Sequence, residues 1–95
     1  MLLDDIKTAL RITHNKLDED IRQHINSCFA DMKRVGIKIP EDTENCPPLF
    51  NTAVKLYVKA HYNFQDKGQD FQKNYERLRD NMSLYSEYSE SDTDV

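Results

Sequence analysis

Apolar residues recur at helical spacing along most of the chain. Near the start they step by three and four, which predicts a short helix over residues 3–10. A longer stripe predicts a second helix that begins at Lys16 or Asp18 and ends at Val35, with Asn15 or Asp18 as its N-cap. The members of that stripe are Leu17, Ile21, Ile25, Cys28, Met32 and Val35.

The middle of the chain predicts a long loop followed by a central helix. Residues 37–47 lack a helical period and contain two prolines among acidic residues, which is typical of a loop. The third helix is predicted from Pro47 and Pro48 to Phe64, because proline suits a first helical turn. Its apolar residues fill an arc of about 200° on a helical wheel, wider than a one-sided helix needs. We therefore expect at least two neighbours around this helix.

The last third of the sequence predicts a turn, a fourth helix and an acidic tail. The turn is at residues 66–68, and the fourth helix runs from Gln69 to Tyr85. Its narrow apolar seam, suited to one partner helix, consists of Phe71, Tyr75, Leu78, Met82 and Tyr85. Residues 86–95 are acidic and serine-rich, which predicts a flexible tail, disordered in the isolated chain. The predicted fold is all-α, a single domain over residues 1–85 built as a small bundle of one short and three longer helices.

The net charge of −4 comes from the predicted tail. Glu87, Glu90, Asp92 and Asp94 carry four negative charges, so residues 1–85 are close to neutral. A near-neutral body argues against a dedicated nucleic-acid-binding domain, which normally has a basic face. No apolar run reaches the ~20 residues of a membrane span, and the acidic opening MLLDDIK is unlike a signal peptide.

The sequence offers little material for catalysis or cofactor binding. Its two cysteines fit no disulfide framework and predict free thiols in a reducing compartment. His24 and Cys28 have the spacing of two metal ligands, but no closed set of four is readable, so no metal is expected. His61 is expected to be a packed residue rather than a general base, and Cys46 to be an exposed thiol. We predict a protein that is not an enzyme and needs no cofactor.

Two groups of residues indicate partners. Lys55 and Lys59 form a positive strip on the third helix, which is either a solvated face or a contact site for DNA or an acidic neighbour. Tyrosine suits protein interfaces, because it offers a large rigid face and one polar tip. The residues predicted to lie at an oligomer interface are Ile37, Ile39, Tyr62, Tyr85 and Tyr88.

Four segments of the chain are similar to a known family. They are LLDDIKTALRIT, LDEDIRQHINSCFADMKRVGI, PLFNTAVKLYVKAHYNF and FQKNYERLRDNMSLYSEY. Over about residues 2–88 the chain resembles the head–tail connector, or head-completion, proteins of long-tailed bacteriophages. The matching segments are packing patterns rather than catalytic signatures, and the family has no catalytic residues to carry over.

The resemblance implies a virion protein of the phage head–tail junction, assembled in the cytoplasm of the host bacterium. Such a subunit would form a ring of about a dozen copies under the portal. The ring would extend the DNA channel and dock a tail-side stopper or tail-completion protein. The implied partners are copies of the chain itself, the portal and that tail-side protein, with DNA only as passing cargo and no membrane.

Two other functions remain open at the level of sequence. A small helical DNA-binding regulator would need a tight helix–turn–helix, and the loop at residues 37–47 is too long for that turn. An adaptor that binds one foreign protein is harder to separate from a connector, because both act through packing surfaces.

Overall fold

The computed structural model describes residues 2–85 as four α-helices and one 3₁₀ turn. The helices are α1 (Leu2–Leu10), α2 (Asp18–Arg34), α3 (Pro48–His61) and α4 (Gly68–Met82), and the 3₁₀ turn spans Phe64–Asp66. Residues 2–85 contain no β-strand, which confirms the predicted all-α bundle of one short and three longer helices. Met1 and the predicted tail at residues 86–95 lie outside the described residues.

α3 is the central helix, because α1, α2 and α4 all pack against it. This arrangement confirms the prediction from its wide apolar arc, since several neighbours need apolar contacts around most of a helix. One continuous core results, and each large side chain in it contributes ~1.5–3 kcal/mol through burial. The core consists of Leu2, Ile6, Leu10, Ile21, Ile25, Cys28, Phe29, Met32, Ile37, Phe50, Ala53, Val54, Val58, Tyr75 and Met82.

The start of α2 differs from the predicted N-cap. Leu17 occupies the cap position, without a side-chain hydrogen bond to the helix. The two predicted caps are engaged by α1 instead, through one lysine. Lys7 Nζ donates to Asn15 Oδ1 at 2.8 Å and forms an ion pair with Asp18 Oδ1 at 2.8 Å. Contacts between α1 and α2 therefore replace local capping, and acidic residues in the first turn still complement the helix dipole.

The end of α2 is a hydrogen-bonded turn that buries the residue beyond it. Gly36 has a φ of 94°, and its N–H donates to the Lys33 carbonyl at 3.0 Å. The N–H of Ile37 donates to the Met32 carbonyl at 3.1 Å. This is the Schellman pattern, which here folds Ile37, the third residue after α2, back against the last turn of the helix. Ile37 is accordingly 0% exposed.

α3 ends three residues earlier than predicted, at His61 rather than Phe64. The backbone then turns left-handed at Asn63, Gln65 and Asp66, with φ values of 50°, 55° and 59°. Left-handed backbone costs on the order of 1 kcal/mol per residue outside glycine. The corner between α3 and α4 is therefore a tight conformation that the packing of the two helices must hold.

Gly68 is the buried first residue of α4, although the sequence predicted it in the turn before the helix. Its N–H donates to Asn63 Oδ1 at 2.9 Å. A Cβ atom at this position would lie 2.7 Å from Asn63 Oδ1 and 3.0 Å from the Ala60 carbonyl oxygen. The absence of a side chain at Gly68 is what lets α4 start this close to the end of α3.

α4 ends at Met82, three residues before the predicted end at Tyr85. The chain continues in hydrogen-bonded turns, in which the N–H of Tyr85 donates to the Met82 carbonyl at 3.1 Å. Tyr85 is therefore not part of the buried seam, and it is 47% exposed. Leu84 beside it is 80% exposed.

The predicted loop between α2 and α3 is confirmed, and one carboxylate organises it. Asp42 Oδ1 accepts hydrogen bonds from the N–H groups of Glu44 and Asn45 at 3.1 and 3.2 Å. The Asn45 side-chain amide donates to the other Asp42 oxygen at 3.2 Å. These bonds from Asn45 and Glu44 lower the pKa of Asp42. This part of the loop is a local Asx-type turn.

We predict that Gly68→Ala destabilises the fold by about 1–3 kcal/mol, because the added methyl group overlaps backbone and side-chain oxygens. Gly36→Ala is the matched control, since a Cβ there meets no atom within 4 Å and only the positive φ is strained. That control should lose only about 1 kcal/mol. Urea unfolding followed by circular dichroism measures both, and a Gly68→Ala protein as stable as the wild type would contradict the close approach.

Candidate interaction surfaces

A polar clamp joins α2 to α4 at the edge of the core. Asp31 on α2 accepts hydrogen bonds at Oδ2 from the Tyr75 hydroxyl at 2.7 Å and from Arg79 Nη1 at 2.9 Å. Its other oxygen accepts from Arg34 Nη2 at 2.7 Å. Tyr75 and Arg79 are one turn apart on α4, so both reach the same carboxylate. Charged hydrogen bonds of this kind are the stronger class and fix the rotation of α4 relative to α2.

The clamp and the core set the protonation of the buried groups. Partial burial of Asp31 opposes ionisation, but hydrogen bonds from Arg34, Tyr75 and Arg79 outweigh it and lower its pKa to about 2. Burial raises the pKa of the Tyr75 hydroxyl above its usual range, and that of the Cys28 thiol to about 12. Both groups are therefore neutral at pH 7 and act as packing and hydrogen-bonding groups.

A row of rings crosses from α2 to the end of α3. The Tyr62 hydroxyl donates a hydrogen bond to Asp20 Oδ2, and His24 Nε2 lies 3.5 Å from the same oxygen. The ring centroids of His24 and His61 are 4.9 Å apart, and those of His61 and Tyr57 are 4.4 Å apart. Such contacts hold side chains of two helices in one orientation. We call Tyr57, His61, His24 and Tyr62 the aromatic row.

Two members of the aromatic row have shifted pKa values. Partial burial lowers the pKa of His61, and repulsion from His24 lowers it further. Burial raises the pKa of Tyr62 to about 12, and its hydrogen bond to Asp20 acts in the same direction. His61 is exposed, so it is not a core residue, whereas a role at a protein interface stays a prediction.

The predicted lysine pair lies on the opposite side of α3 from α2. The ring of Phe50 faces Phe29 of α2. Lys59 follows Phe50 by nine residues, which is two and a half helical turns, so the two residues lie on opposite sides of α3. Lys59 Nζ lies 5.2 Å from the ring centroid of Phe64 and 5.4 Å from that of Phe71. With Lys55 one turn earlier on α3, these residues form the lysine–aromatic strip: Lys55, Lys59, Phe64 and Phe71.

A comparison with protein families shows which family the chain with these surfaces belongs to. The family model described as "Phage connector protein" matches residues 2–89, nearly the whole chain. The chain belongs to this family. The match confirms the resemblance seen in the sequence and gives the chain a structural role as a phage connector. No curated protein and no solved structure matches the chain in the corresponding searches.

Membership of the phage connector family implies association with other proteins of the phage head or tail, and a place in the virion. Within residues 2–85, no helix combines the length and apolar character that crossing a bilayer requires.

The interface residues predicted for the connector chain lie in different environments. Ile37 is buried in the core by the turn at the end of α2, so the prediction that it contacts a neighbouring subunit is not retained. Ile39 is half-buried against the core, and Tyr62 is half-buried in the aromatic row. Tyr85 lies on the surface beyond α4, and Tyr88 falls outside the described residues.

His24 and Cys28, the pair with metal-ligand spacing, face different surroundings. Cys28 is fully buried, with its sulfur 3.9 Å from Met32 Sδ, whereas His24 faces Asp20 and the aromatic row. No group of three or more metal-ligating side chains occurs within residues 2–85. Both cysteines are free thiols, as predicted, but Cys46 is half-buried rather than exposed.

Sequence reasoning missed the polar clamp. Its members are 44 and 48 positions apart along the chain, so no local period connects them. One signal was available: Asp31 directly precedes Met32 of the apolar stripe, and Arg79 follows Leu78 of the fourth-helix seam. Charged residues at the edges of two facing apolar stripes are candidates for an ion pair between helices.

We predict that Asp31→Asn lowers the free energy of unfolding by about 1–2 kcal/mol at pH 7. The pKa of Asp31 is lower in the folded chain, about 2 against 3.8, so its ionised form stabilises the fold above pH ~4. That contribution disappears as the pH falls towards 2. Urea unfolding between pH 2 and 7 should show the two proteins converging in acid, while Glu41→Gln in the exposed loop follows the wild type. A constant difference across this range would contradict the linkage.

Proposed function

We propose that this connector chain is a ring-forming subunit that docks under the phage portal after DNA packaging. The ring extends the DNA channel and offers a surface to a tail-side stopper or tail-completion protein. About a dozen copies form a closed ring of this kind through one repeated contact. The observation that carries the proposal is the family match across residues 2–89.

The surfaces of the chain support a ring. A closed ring uses heterologous contacts, so each subunit needs two different patches that fit each other. The aromatic row and the lysine–aromatic strip lie on opposite sides of α3 and differ in chemistry. The first combines rings with the Asp20 carboxylate, and the second combines rings with two ammonium groups. Two unlike patches on opposite sides suit head-to-tail packing around a ring.

The rigidity of the body also supports a docking role. The clamp at Asp31 fixes α2 against α4, and the glycine contact at Gly68 fixes α4 against α3. A subunit whose surfaces are held in place loses less conformational entropy when it docks. This organisation suits a protein that acts by shape and packing, and we propose that it has no enzymatic activity.

Binding to the portal is the direct test. We predict that the purified full-length chain binds capsids that carry the portal of the same phage and lack the connector, and that it forms a ring there. Light scattering across a concentration series and electron microscopy of the capsids measure self-association and ring formation. A chain that stays strictly monomeric and also fails to bind portal-bearing capsids would overturn the proposal. A monomer in isolation would not, because docking can drive ring formation.

Truncation after Tyr85 tests the predicted role of the acidic residues 86–95. The thermal midpoint should stay within a few degrees of the wild type, because every core side chain described in residues 2–85 is retained. Assembly on portal-bearing capsids should weaken. A control chain with the same length and neutral Gly and Ser residues at positions 86–95 separates the effect of charge from that of length. Unchanged assembly in both variants would mean that residues 86–95 have no role in assembly and are only a solvated end.

A further inference from the structure

Lys55 and Lys59 differ from every other basic residue in the described part of the chain. Both are half-buried, yet no carboxylate within residues 2–85 forms an ion pair with either of them. The other half-buried basic residues there, Lys7 and Arg79, are paired with Asp18 and with Asp31. The remaining lysines and arginines of residues 2–85 are exposed, where water solvates their charge.

A half-buried lysine packs its methylene stem against its neighbours and keeps its charge at the surface, where an ammonium group without a carboxylate partner gains from an anionic one. The rings of Phe64 and Phe71 compensate Lys59 in part through cation–π contacts. Lys55 shares a cleft of about 350 Å³ with Asp5. The carboxylate of Asp5, however, accepts a hydrogen bond from the Asn51 amide at 3.1 Å and forms no ion pair with Lys55. Both lysines therefore lack a full counter-charge within residues 2–85.

The surroundings of the two lysines favour an acidic peptide over DNA. Phe64 and Phe71 are half-buried, and so are Leu56 and Leu78, the apolar residues on the same side of α3 and α4. A strip with two charges on an apolar floor suits a peptide that carries both carboxylates and an apolar side chain. DNA binding normally relies on a larger set of basic residues, which a near-neutral body does not offer.

We infer that the lysine–aromatic strip of one copy binds the acidic residues 86–95 of a neighbouring copy. This inference rests on the ring proposed above. The segment SEYSESDTDV carries Glu87, Glu90, Asp92 and Asp94 against two lysines, and Tyr88 against the two phenyl rings. Its charge complements the strip, and its single tyrosine supplies the apolar contact.

The place of Tyr88 in the segment fits a neighbouring copy better than the chain that carries it. Ten extended residues span ~33 Å, enough to pass along the ~22 Å length of their own 15-residue α4, so the position of Tyr88 decides between the two arrangements. Phe71 lies eleven residues before Met82, ~16 Å away along the helix. The backbone of Tyr88 extends at most ~10 Å beyond Tyr85 and falls short of Phe71 in its own chain. Contact between Tyr88 and the rings is therefore easiest across a subunit boundary.

A peptide titration tests the inference on the full-length chain. The probe is a synthetic peptide with the sequence of residues 86–95, added to dilute ¹⁵N-labelled protein at low salt. We expect shifts of the Lys55, Lys59 and Phe71 signals that saturate with peptide. Lys55→Glu combined with Lys59→Glu should weaken binding at least about tenfold, through loss of attraction and new repulsion. The matched control is Lys73→Glu with Arg77→Glu, which reverses two exposed charges at the same spacing on α4 and should leave binding unchanged.

Three results would overturn the inference. The first is equal peptide affinity in the wild type and the Lys55/Lys59 variant. The second is displacement of the peptide by a short DNA duplex that shifts the same lysine signals in a salt-dependent way. The third is a change of these signals on truncation after Tyr85 in a dilute monomer, because docking would then be within one chain. Circular dichroism checks the fold of each variant, and Lys55→Gln with Lys59→Gln replaces the charge reversal if that protein is unfolded.

Assembly on portal-bearing capsids, measured with the same samples, separates this inference from the proposed function. If the wild-type protein binds the portal but the peptide titration shows no binding, only the proposed role of residues 86–95 is overturned. If the protein associates neither with the portal nor with itself, the proposed function is overturned, whether or not the peptide binds.

Discussion

Burial of α3 by its three neighbours is the constraint on which the rest of the fold depends. A chain of 95 residues has a small core, and here α1, α2 and α4 each pack against this one helix. The apolar surface of α3 is therefore largely consumed inside the subunit. Outside the core, α3 retains a side with the half-buried Lys55 and Lys59 and, near its end, the exposed His61. The surface available to partners is what the core leaves over.

The polar contacts refine this arrangement rather than create it. The Asp31 carboxylate joins donors from two helices, and its loss in acid would loosen the contact between α2 and α4 without removing the core. The left-handed corner after His61 works in the same way, because strained backbone persists only where surrounding contacts hold it. Both features tie neighbouring helices of a small bundle together, which suits a subunit that must present fixed patches.

The family match and the surfaces lead to the same kind of function. A phage connector acts by holding other proteins together, and the buried thiol and the tyrosine of this chain are neutral packing groups at pH 7. A DNA-binding regulator is supported less well, because α3 is joined to α2 by a long loop and to α4 by a strained corner rather than by the tight turn of a helix–turn–helix. The unlike patches on opposite sides of α3 are the features from which ring contacts are proposed.

The sequence by itself determined the helices, the central place of α3 and the burial of Cys28, because each follows from a local period of apolar residues. Helix ends were less predictable: Asn15 is engaged by Lys7 of another helix, and the left-handed Asn63 ends α3 early. The burial of Ile37 was readable in principle from the glycine before it, since the Schellman turn is local.

Only the tertiary structure decided which polar residues work together. The clamp at Asp31 connects positions 44 and 48 residues apart, and the aromatic row connects α2 to the end of α3. Such pairs have no signature at short range, because they depend on the rotation of one helix against another. The position of Lys59 over two rings was decided in the same way: its charge is visible in the sequence, and its lack of a carboxylate partner within residues 2–85 is visible only in the fold.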